Sequence, residues 1–575
     1  MIIKNIQQIE NEVDLFYKSL DLTTDIKGLA IWRALTVSED TLFFAMNNLY
    51  ETGFGKVTLN HFLWIHELFE HNKIAIKYML SEIDKQCFDS HLCVYDDIIS
   101  PEVYTKLLKV YRASCDYSHI CTLFISLHKK LTSAMHQNDE IHFNYNKIDL
   151  EYSILHHHLS SDPPLVGKSG FQVLYELMFL DINNDLIQGV LSDTHFEGEL
   201  INYPHSQKLM CYLYSQIASF CFPVDERWMF SCFSLSEFRA YFRSLICICI
   251  HHTIAVLFNS RVHGIKGGGL EQRVLRINKS LLKEIISKYS GLSNETIERI
   301  TEFLTYGKNV KSPDPALQPL IDVGNEYVIP NYLVITSNFD RNALTLYSRI
   351  DEKGFNKTSH LFEVEMTRNI LSEINGKFTS LTNLMLPKKE GGEIDLILLD
   401  EISKTILICE LRWMLQPSDP NEIFNRQKVC IEKVEQAQKK VNAANKHKEH
   451  ILRIGCCSIK DLSKWNVKGV VILDGYTGVQ SDTGIIILPK IVFTKIVEIS
   501  ESLKEVYDFC ASYKWLPHSD HFGKINIRKT KFSDYTFFSQ GINSFDSMHY
   551  LKDFLPLSLI NHRHGAVMLY EKYVQ

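Results

Sequence analysis

Residues 391–413 read GGEIDLILLDEISKTILICELRW, and this stretch decides the fold of the chain. Two runs within it, residues 394–399 and 404–411, are apolar at almost every position, which is typical of buried strands. The polar residues 400–403 between them predict a short loop. We therefore expect two adjacent antiparallel strands in the interior of a domain.

Each of the two predicted strands also carries a carboxylate. A loop over residues 400–403 pairs Leu399 with Lys404, which places Asp395 opposite Ile408. Glu410 then lies diagonally across from Asp395 on the same face, within reach of its side chain. We expect the two acids to converge.

Two further charged residues share this face, because side chains alternate along a strand. Arg412 lies two positions beyond Glu410, and Glu393 pairs with Glu410 in the same register. Like charges on a buried face are costly, and a divalent cation with carboxylate ligands is the usual reason to tolerate them. The alternative is a strand end whose acids are solvated.

The segments GEID (residues 392–395) and ELR (residues 410–412) resemble the motif of the PD-(D/E)XK phosphodiesterase superfamily, which includes restriction-type nucleases. The family pattern has an acid at the start of one strand and acid-x-Lys at the end of the next. The resemblance implies a restriction-endonuclease-like α/β fold with a mixed sheet. It also implies that Asp395 and Glu410 bind Mg²⁺ or Mn²⁺. Arg412 stands at the position of the family's lysine and keeps the charge, but it cannot serve as a general base.

A helix is predicted over residues 361–375, upstream of the two strands, with a stop at Gly376. Glu363 lies on its apolar face, whereas Glu365 falls at the centre of its polar face. A carboxylate on a buried face is costly unless it is paired or binds a metal. The resemblance also implies an acid on this helix. We therefore expect Glu363 to be the third metal-binding acid and Glu365 to be solvated.

The segments that follow complete the element order of the resembled superfamily: helix, three strands, helix, strand. Asp419 and Pro420 predict the start of a helix that runs to about residue 445, with Glu422 closing a capping box. Residues 377–387 supply the first strand, residues 469–473 the fourth, and residues 484–488 a fifth.

Gln427 interrupts the apolar seam of the predicted second helix. The resemblance implies that a glutamine there supports the site, and a core glutamine bonded to the backbone is the alternative. Lys428, one position further, is the candidate to replace the missing lysine in space.

Length and pattern predict a multi-domain chain with a large α-helical N-terminal region followed by the α/β domain. The expected regions are residues 1–150, α-helical; 151–310, α-helical with a basic glycine-rich loop; 311–350, a connecting hairpin; 351–490, the nuclease-like domain; and 491–575, a helix and irregular short strands.

Composition limits the classes of protein that fit. The chain is 45% hydrophobic and 22% charged, which is ordinary for a soluble globular protein. Its formal net charge of -7 means that any nucleic-acid surface must be a local basic patch. The 14 cysteines show no disulfide spacing, and no secretory signal or membrane span is expected, so we predict a reducing cytoplasm and no membrane.

Three basic segments are candidate nucleic-acid surfaces. One lies late in the second predicted helix and just after it, with ordinary charged helix ends as the alternative; its residues are Lys439, Lys440, Lys446, Lys448 and Arg453. Residues 261–279 place basic side chains around a run of three glycines, and a solvated loop is the alternative. Near the C-terminus, basic and aromatic residues alternate in a way that suits a phosphate backbone and stacked bases. They are Lys524, Arg528, Lys529, Lys531, Phe532, Tyr535, Phe537 and Phe538.

Together these features predict a metal-dependent nuclease acting on nucleic acid, with DNA favoured. Its expected catalytic residues are Asp395, Glu410, Arg412, Glu363 and Gln427. By association, large helical proteins with such a domain point to bacterial anti-phage defence, with protein partners bound through the helical N-terminal region. The alternative is a nuclease-like fold retained as a non-catalytic nucleic-acid-binding or assembly module, which Arg412 in place of lysine favours.

Overall fold

A computed structural model of the chain describes residues 6–52, 59–88, 98–145, 151–152, 155, 168–192, 194–197, 200–203, 205–219, 228–264, 270–387, 389–417, 419–516 and 526–541. The loop at residues 265–269, with its three glycines, and Lys524 therefore lie outside the described residues.

The N-terminal region is mainly helical, as predicted. Its helices are α1 (Ile6–Lys18), α2 (Lys27–Thr52), α3 (Leu59–Gln86), α4 (Pro101–His128), α5 (Gly170–Met178), α6 (Asp185–Leu191), α7 (Gln207–Gln216), α8 (Leu235–Val262), α9 (Lys279–Ser290) and α10 (Asn294–Leu304).

Helix α8 is the core of this region. By length and composition it could cross a membrane, but 94% of its most apolar window is buried inside the protein. Ser234 and Glu237 form a capping box at its start, which fixes where the helix begins. Cys247 and Cys249 are fully buried in its apolar cluster, so α8 packs as a core helix.

The N-terminal region also contains strands that its helical periodicity does not predict. They are β1 (Thr132–Gln137), β2 (Glu140–Tyr145), β3 (His195–Glu197), β4 (Leu200–Asn202) and β5 (Leu275–Asn278). The prediction of an entirely helical segment up to residue 150 is therefore wrong at its C-terminal end.

The predicted hairpin at 311–350 is present as β6 (Ile321–Asp322) and β7 (Glu326–Ile329). Gly324 turns the chain between them at a φ of 92°, which favours glycine. Strand β5 pairs with β7, so the hairpin belongs to a three-stranded sheet of the helical region. Two helices follow, α11 (Asn331–Ile335) and α12 (Phe339–Ile350).

The α/β domain has the predicted element order. It contains α13 (Glu352–Ile374), β8 (Thr379–Met385), β9 (Glu393–Asp400), β10 (Thr405–Trp413), α14 (Pro420–Lys446), α15 (Lys448–Ile454), β11 (Asn466–Asp474), β12 (Ile486–Pro489), α16 (Lys490–Ile499) and α17 (Leu503–Ala511). Helix α13 begins nine residues before the predicted start.

These strands form one mixed sheet in the order β12-β11-β10-β9-β8. Strands β8, β9 and β10 are antiparallel neighbours, whereas β10, β11 and β12 are parallel. Helix α14 is the crossover that parallel strands require, and it covers one face of the sheet. Helices α13, α16 and α17 cover the other face, which makes three layers.

The register of β9 against β10 differs by two residues from the predicted one. Leu399 pairs with Ile406, and the ladder between the two strands ends at Leu396 and Cys409. The cause is Asp400, which continues β9 and whose carboxylate accepts hydrogen bonds from Ile402 N at 2.8 Å and from Ser403 Oγ at 2.5 Å. The loop therefore starts one residue later than predicted.

This register changes the partners of the two predicted acids. Continuing it by one pair sets Asp395 against Glu410, where a diagonal relation was predicted. Glu393 does not pair with Glu410; it is exposed and pairs with Met385 of β8. A shift of two residues does not change which face a side chain takes, and Asp395 and Glu410 share a face as predicted, since both contact Lys440 of α14. Arg412 does not share it in its contacts: it is bonded to Glu363 of α13, which covers the other face.

The C-terminal residues form two regular strands, β13 (Asn526–Phe532) and β14 (Tyr535–Gly541), where irregular short strands were predicted. Strand β14 pairs in parallel with β2 and completes a four-stranded sheet in the order β1-β2-β14-β13. Phe532, Tyr535 and Phe537 are buried against α1 and α4, so they are core residues and cannot stack on bases. Phe538 is only half-buried and lies under the Lys529 ammonium.

Candidate functional site

Asp395 and Glu410 converge on one point at the end of the β9–β10 pair. The Lys440 ammonium of α14 contacts both, with 3.4 Å between its Nζ and Asp395 Oδ1. The carboxylates therefore share a single cation and face the same helix.

The backbone at Asp395 departs from a regular ladder. The β8–β9 pairing has Thr382 with Leu396 and Leu384 with Ile394, while Asn383, opposite Asp395, adopts a φ of 53°. Asp395 Oδ2 accepts a hydrogen bond from Leu411 N at 2.9 Å. The Asp395 side chain thus takes a backbone donor of β10, which fixes the orientation of its carboxylate.

Glu410 is the more deeply buried acid, because only 1% of its side chain is exposed. Its Oε1 accepts from Lys433 Nζ at 2.7 Å, and its Oε2 accepts from Lys440 Nζ. A buried carboxylate without such partners would destabilise the fold by several kcal/mol. Two lysines of one helix supply the compensation.

Burial raises the pKa of Asp395, and the charge of Glu410 raises it further. The Lys440 ammonium, the Leu411 N–H and Lys433 oppose this shift by stabilising the carboxylate. The pair thus has the mutual repulsion that was expected of it, and the cations of α14 hold it together.

Arg412 does not join the acid pair. Its NH1 donates to Glu363 Oε1 of α13 at 2.7 Å, while Glu365 turns away and accepts from Arg368 at 2.7 Å. Glu363 thus points toward the sheet and Glu365 toward solvent, which agrees with the predicted orientation of the helix. Glu363 is bonded to an arginine in this structure, and it is not grouped with Asp395.

Aromatic stacking positions the Glu363–Arg412 pair. Phe362 of α13 stacks on Trp413 of β10, with ring centroids 4.2 Å apart, and Trp228 stacks on the other side of Phe362 at 4.6 Å. Each charged residue lies next to one of these rings in the chain. The end of β10 is therefore fixed against α13.

Lys428 does not lie where it was expected to act, whereas the supporting role predicted for Gln427 stays a prediction. Gln427 is half-buried one turn before the buried part of the α14 seam, which begins at Cys430. Lys428 is exposed, with its ammonium 4.6 Å from the centre of the Phe424 ring. It does not replace the lysine of the family pattern.

Two lysines reach the site. Lys433 was not singled out from the sequence, and Lys440 was predicted only as part of a basic nucleic-acid surface. They are seven residues apart and therefore share one side of α14. The sequence did contain a signal for the inward position of Lys440. It lies three residues after Ala437 and four before Ala444, both buried, which places it beside the apolar seam of the helix.

Further cations border the site. Arg426 lies seven residues before Lys433 on the same side of α14, and its Nε donates to Leu415 O at 3.1 Å. Burial lowers the pKa of Arg426, and the charges of Arg341 and Arg412 lower it further, whereas Glu422 opposes them. Glu422, which was predicted to close the helix cap, instead accepts from Arg341 at 3.2 Å. A row of positive groups therefore leads to the acid pair.

The three acids predicted to bind a metal ion are not grouped together among the described residues. Within the described ranges, no three His, Cys, Asp or Glu side chains are grouped to hold an ion, so Asp395, Glu410 and Glu363 do not form a triad. Glu363 belongs to α13, which covers the face of the sheet opposite α14, and it is bonded to Arg412. Asp395 and Glu410 still fit Mg²⁺, which keeps several waters and is commonly bound by one or two carboxylates, and they already share a cation.

Comparison with known protein families, with curated proteins and with solved structures finds no match for this chain. A function for this chain is therefore proposed from the residues of the site.

Proposed function

We propose that the chain is a metal-dependent phosphodiesterase that hydrolyses nucleic acid, with DNA as the favoured substrate. The observation that carries this proposal is the convergence of Asp395 and Glu410, from adjacent strands, on one shared cation. Carboxylates that meet in this way, in a sequence pattern resembling PD-(D/E)XK nucleases, suit a divalent metal ion.

Asp395 and Glu410 would hold Mg²⁺ or Mn²⁺. When bound, such an ion lowers the pKa of a water ligand and stabilises negative charge on a phosphoryl group. The carboxylates are oriented for this role by the β10 backbone and by α14, so they are held in place before the ion arrives.

The cations around the acid pair suit a phosphate group. Arg412 is fixed by Glu363 through NH1, and 33% of its side chain is exposed. A guanidinium in this arrangement can donate to a phosphate oxygen without first losing another acceptor. Lys433 and Arg426 add positive charge along α14, which would attract the nucleic-acid backbone.

The test is cleavage by the purified full chain of single-stranded DNA, double-stranded DNA and RNA, with Mg²⁺ or Mn²⁺ and with a chelator. We expect metal-dependent cleavage that Asp395→Asn lowers by about a hundredfold or more. Glu365→Gln is the matched control, since Glu365 faces outward on α13, and it should cleave like the wild type. Equal activity of folded Asp395→Asn protein would refute the proposal.

A second candidate is a non-catalytic module that binds nucleic acid or assembles with other proteins. The observation that favours it is that the charges of the site already balance. Lys433 and Lys440 neutralise Asp395 and Glu410, and Arg412 neutralises Glu363. Under this alternative, the acids and bases are structural ion pairs. Binding of nucleic acid without cleavage under every metal condition would support it.

The cellular compartment and the biological role are also proposals. The described cysteines are free thiols, as expected for a reducing cytoplasm. A role in bacterial anti-phage defence, with protein partners on the helical N-terminal region, rests on analogy with large helical proteins that carry such a domain.

A further inference from the structure

Lys440 differs from the other cations near the acid pair in that it contacts both carboxylates. Its Nζ lies 3.4 Å from Asp395 Oδ1 and also donates to Glu410 Oε2. Lys433 contacts Glu410 Oε1. Lys440 is also well shielded, with 11% of its side chain exposed.

The charge balance of the site explains why an ammonium is there. Two carboxylates, one of them fully shielded from water, need positive charge nearby, and removing it would leave an unpaired buried charge. Lys433 and Lys440 supply two positive charges. One divalent cation also carries two positive charges. If it bound while both lysines stayed in place, four positive charges would face the two negative charges of the carboxylates.

Packing limits how the site could change. Gly391 lies against α14, where a side chain on it would meet the Ala443 Cβ at 2.8 Å and the Lys440 Cα at 3.8 Å. The helix backbone at Lys440 is therefore held close to the loop before β9. Movement of Lys440 is consequently a rotation of its flexible four-carbon stem and requires no shift of α14.

We propose that Lys440 is a resident counter-ion, which holds Asp395 and Glu410 together in the metal-free protein and is displaced from them when a divalent cation binds. This inference rests on the proposed function in that Asp395 and Glu410 are taken as the metal ligands. The consequence is that metal affinity is set by competition with the protein's own ammonium.

The first experiment compares Mn²⁺ binding by wild-type and Lys440→Met full-length protein, using calorimetry. Methionine retains much of the side-chain volume and removes the competing charge. We expect roughly tenfold or tighter Mn²⁺ binding by the variant. In chelator, its melting temperature should fall by roughly 5 °C, and Mn²⁺ should restore it. Lys439→Met, an exposed neighbour on α14, is the matched control and should change neither quantity.

The second experiment uses the wild type, so it does not depend on a variant that folds. Amine acylation followed by mass spectrometry reports how accessible each lysine is, with and without Mn²⁺. Labelling of Lys440 should increase several-fold on addition of Mn²⁺, whereas labelling of Lys439 should stay constant. Unchanged labelling of Lys440 at saturating Mn²⁺ would overturn the inference.

The remaining outcomes separate the two proposals. Equal or weaker Mn²⁺ affinity in Lys440→Met, or no Mn²⁺ binding by either protein, overturns the counter-ion role. Loss of nuclease activity in Asp395→Asn together with unchanged affinity in Lys440→Met rejects the counter-ion and leaves the nuclease standing. Tighter Mn²⁺ binding by the variant without any cleavage supports the counter-ion and rejects the nuclease.

Discussion

At the scale of single residues, Arg412 has more hydrogen-bond donors than its one carboxylate partner, Glu363, engages. It binds Glu363 through NH1 and leaves a buried Nε–H without an acceptor among the described residues. Lysine has one ammonium on a flexible stem and cannot reproduce this fork. The difference matters because the resembled family has lysine here.

If Arg412 acts on the phosphate as a positive charge, Arg412→Lys should keep metal-dependent cleavage even though lysine loses the fork, because the charge is retained and lysine is the residue of the resembled pattern. Arg412→Ala should lose about a hundredfold in rate, because a charge-stabilising group is removed. Both rates should be measured with Mg²⁺ on the substrate that the wild type cleaves, after circular dichroism has shown that the variants fold. Full activity of Arg412→Ala would exclude Arg412 from the reaction.

Glu39 of α2 is a second residue whose environment has a measurable effect. It is 1% exposed and accepts hydrogen bonds from Tyr332 N and Asn331 Nδ2, both at 3.3 Å. Burial raises the pKa of Glu39 from 4.5 to about 8, although these hydrogen bonds oppose the shift and the charge of Asp40 adds to it. The carboxyl is therefore protonated in the folded protein at neutral pH.

The sign of the pH dependence follows from this raised pKa. Between about pH 4.5 and 8 the folded protein holds a proton that the unfolded chain releases, so stability falls as pH rises through this window. The wild type should lose on the order of a few kcal/mol across it, whereas Glu39→Gln should lose much less. Melting temperatures at pH 6.5 and 8.5 give the comparison. Parallel curves for the two proteins would show that Glu39 is already ionised.

At the scale of elements, the turn between β9 and β10 determines which residues face each other. Asp400 accepts from Ile402 N, from Ser403 Oγ and, at 3.0 Å, from Leu503 N at the start of α17. Burial raises the pKa of Asp400, but the hydrogen bonds from Ser403, Leu503 and Ile402 outweigh it, and the pKa is lowered. The Asp400 carboxylate therefore shapes the turn and attaches it to α17, which lies on the face of the sheet opposite α14.

Asp400→Ala should destabilise the α/β domain by on the order of 3 kcal/mol, because three hydrogen bonds to a charged acceptor are lost. Asp400→Asn, which can retain part of the turn, should cost less. Urea unfolding of both variants measures the difference. Loss of stability smaller than 1 kcal/mol in Asp400→Ala would mean that the turn forms without this side chain.

The same turn shows what could be predicted from the sequence. The two strands, the common face of Asp395 and Glu410, and the helix cap at Asp419 follow from local sequence patterns, and these were predicted correctly. The same face was also predicted for Arg412, which instead contacts Glu363 of α13. The register was wrong by two because a side-chain hydrogen bond of Asp400 extends β9. The contacts of Lys433 and Lys440 with the acids were not predicted, because they depend on how α14 docks on the sheet, which periodicity alone does not specify.

At the scale of the whole molecule, the ends of the described chain share one structural unit. The four-stranded sheet of β1, β2, β14 and β13 packs on α1 and α4 and encloses Phe537, which is 1% exposed. The α/β domain has separate apolar clusters on the two faces of its own sheet. Damage to the first unit should therefore leave the second folded.

Phe537→Ala should destabilise this unit by about 3–5 kcal/mol, as expected for a buried phenylalanine. Limited proteolysis should then cut within residues 6–145 or 526–541 while residues 352–511 stay resistant. Phe538→Ala is the matched control, because Phe538 is only half-buried, and it should change the cleavage pattern much less. Simultaneous loss of both units would show that they unfold cooperatively.

The parallel pairing of β2 with β14 has a consequence for synthesis of the chain. Tyr145 N donates to Gln540 Oε1, 395 positions later, so one side of β2 has no strand beside it until nearly all of the described chain has left the ribosome. Throughout that interval the nascent hairpin of β1 and β2 exposes backbone groups that another strand could pair with. Translation speed and chaperone supply should therefore govern the yield of native protein, with aggregation as the competing outcome.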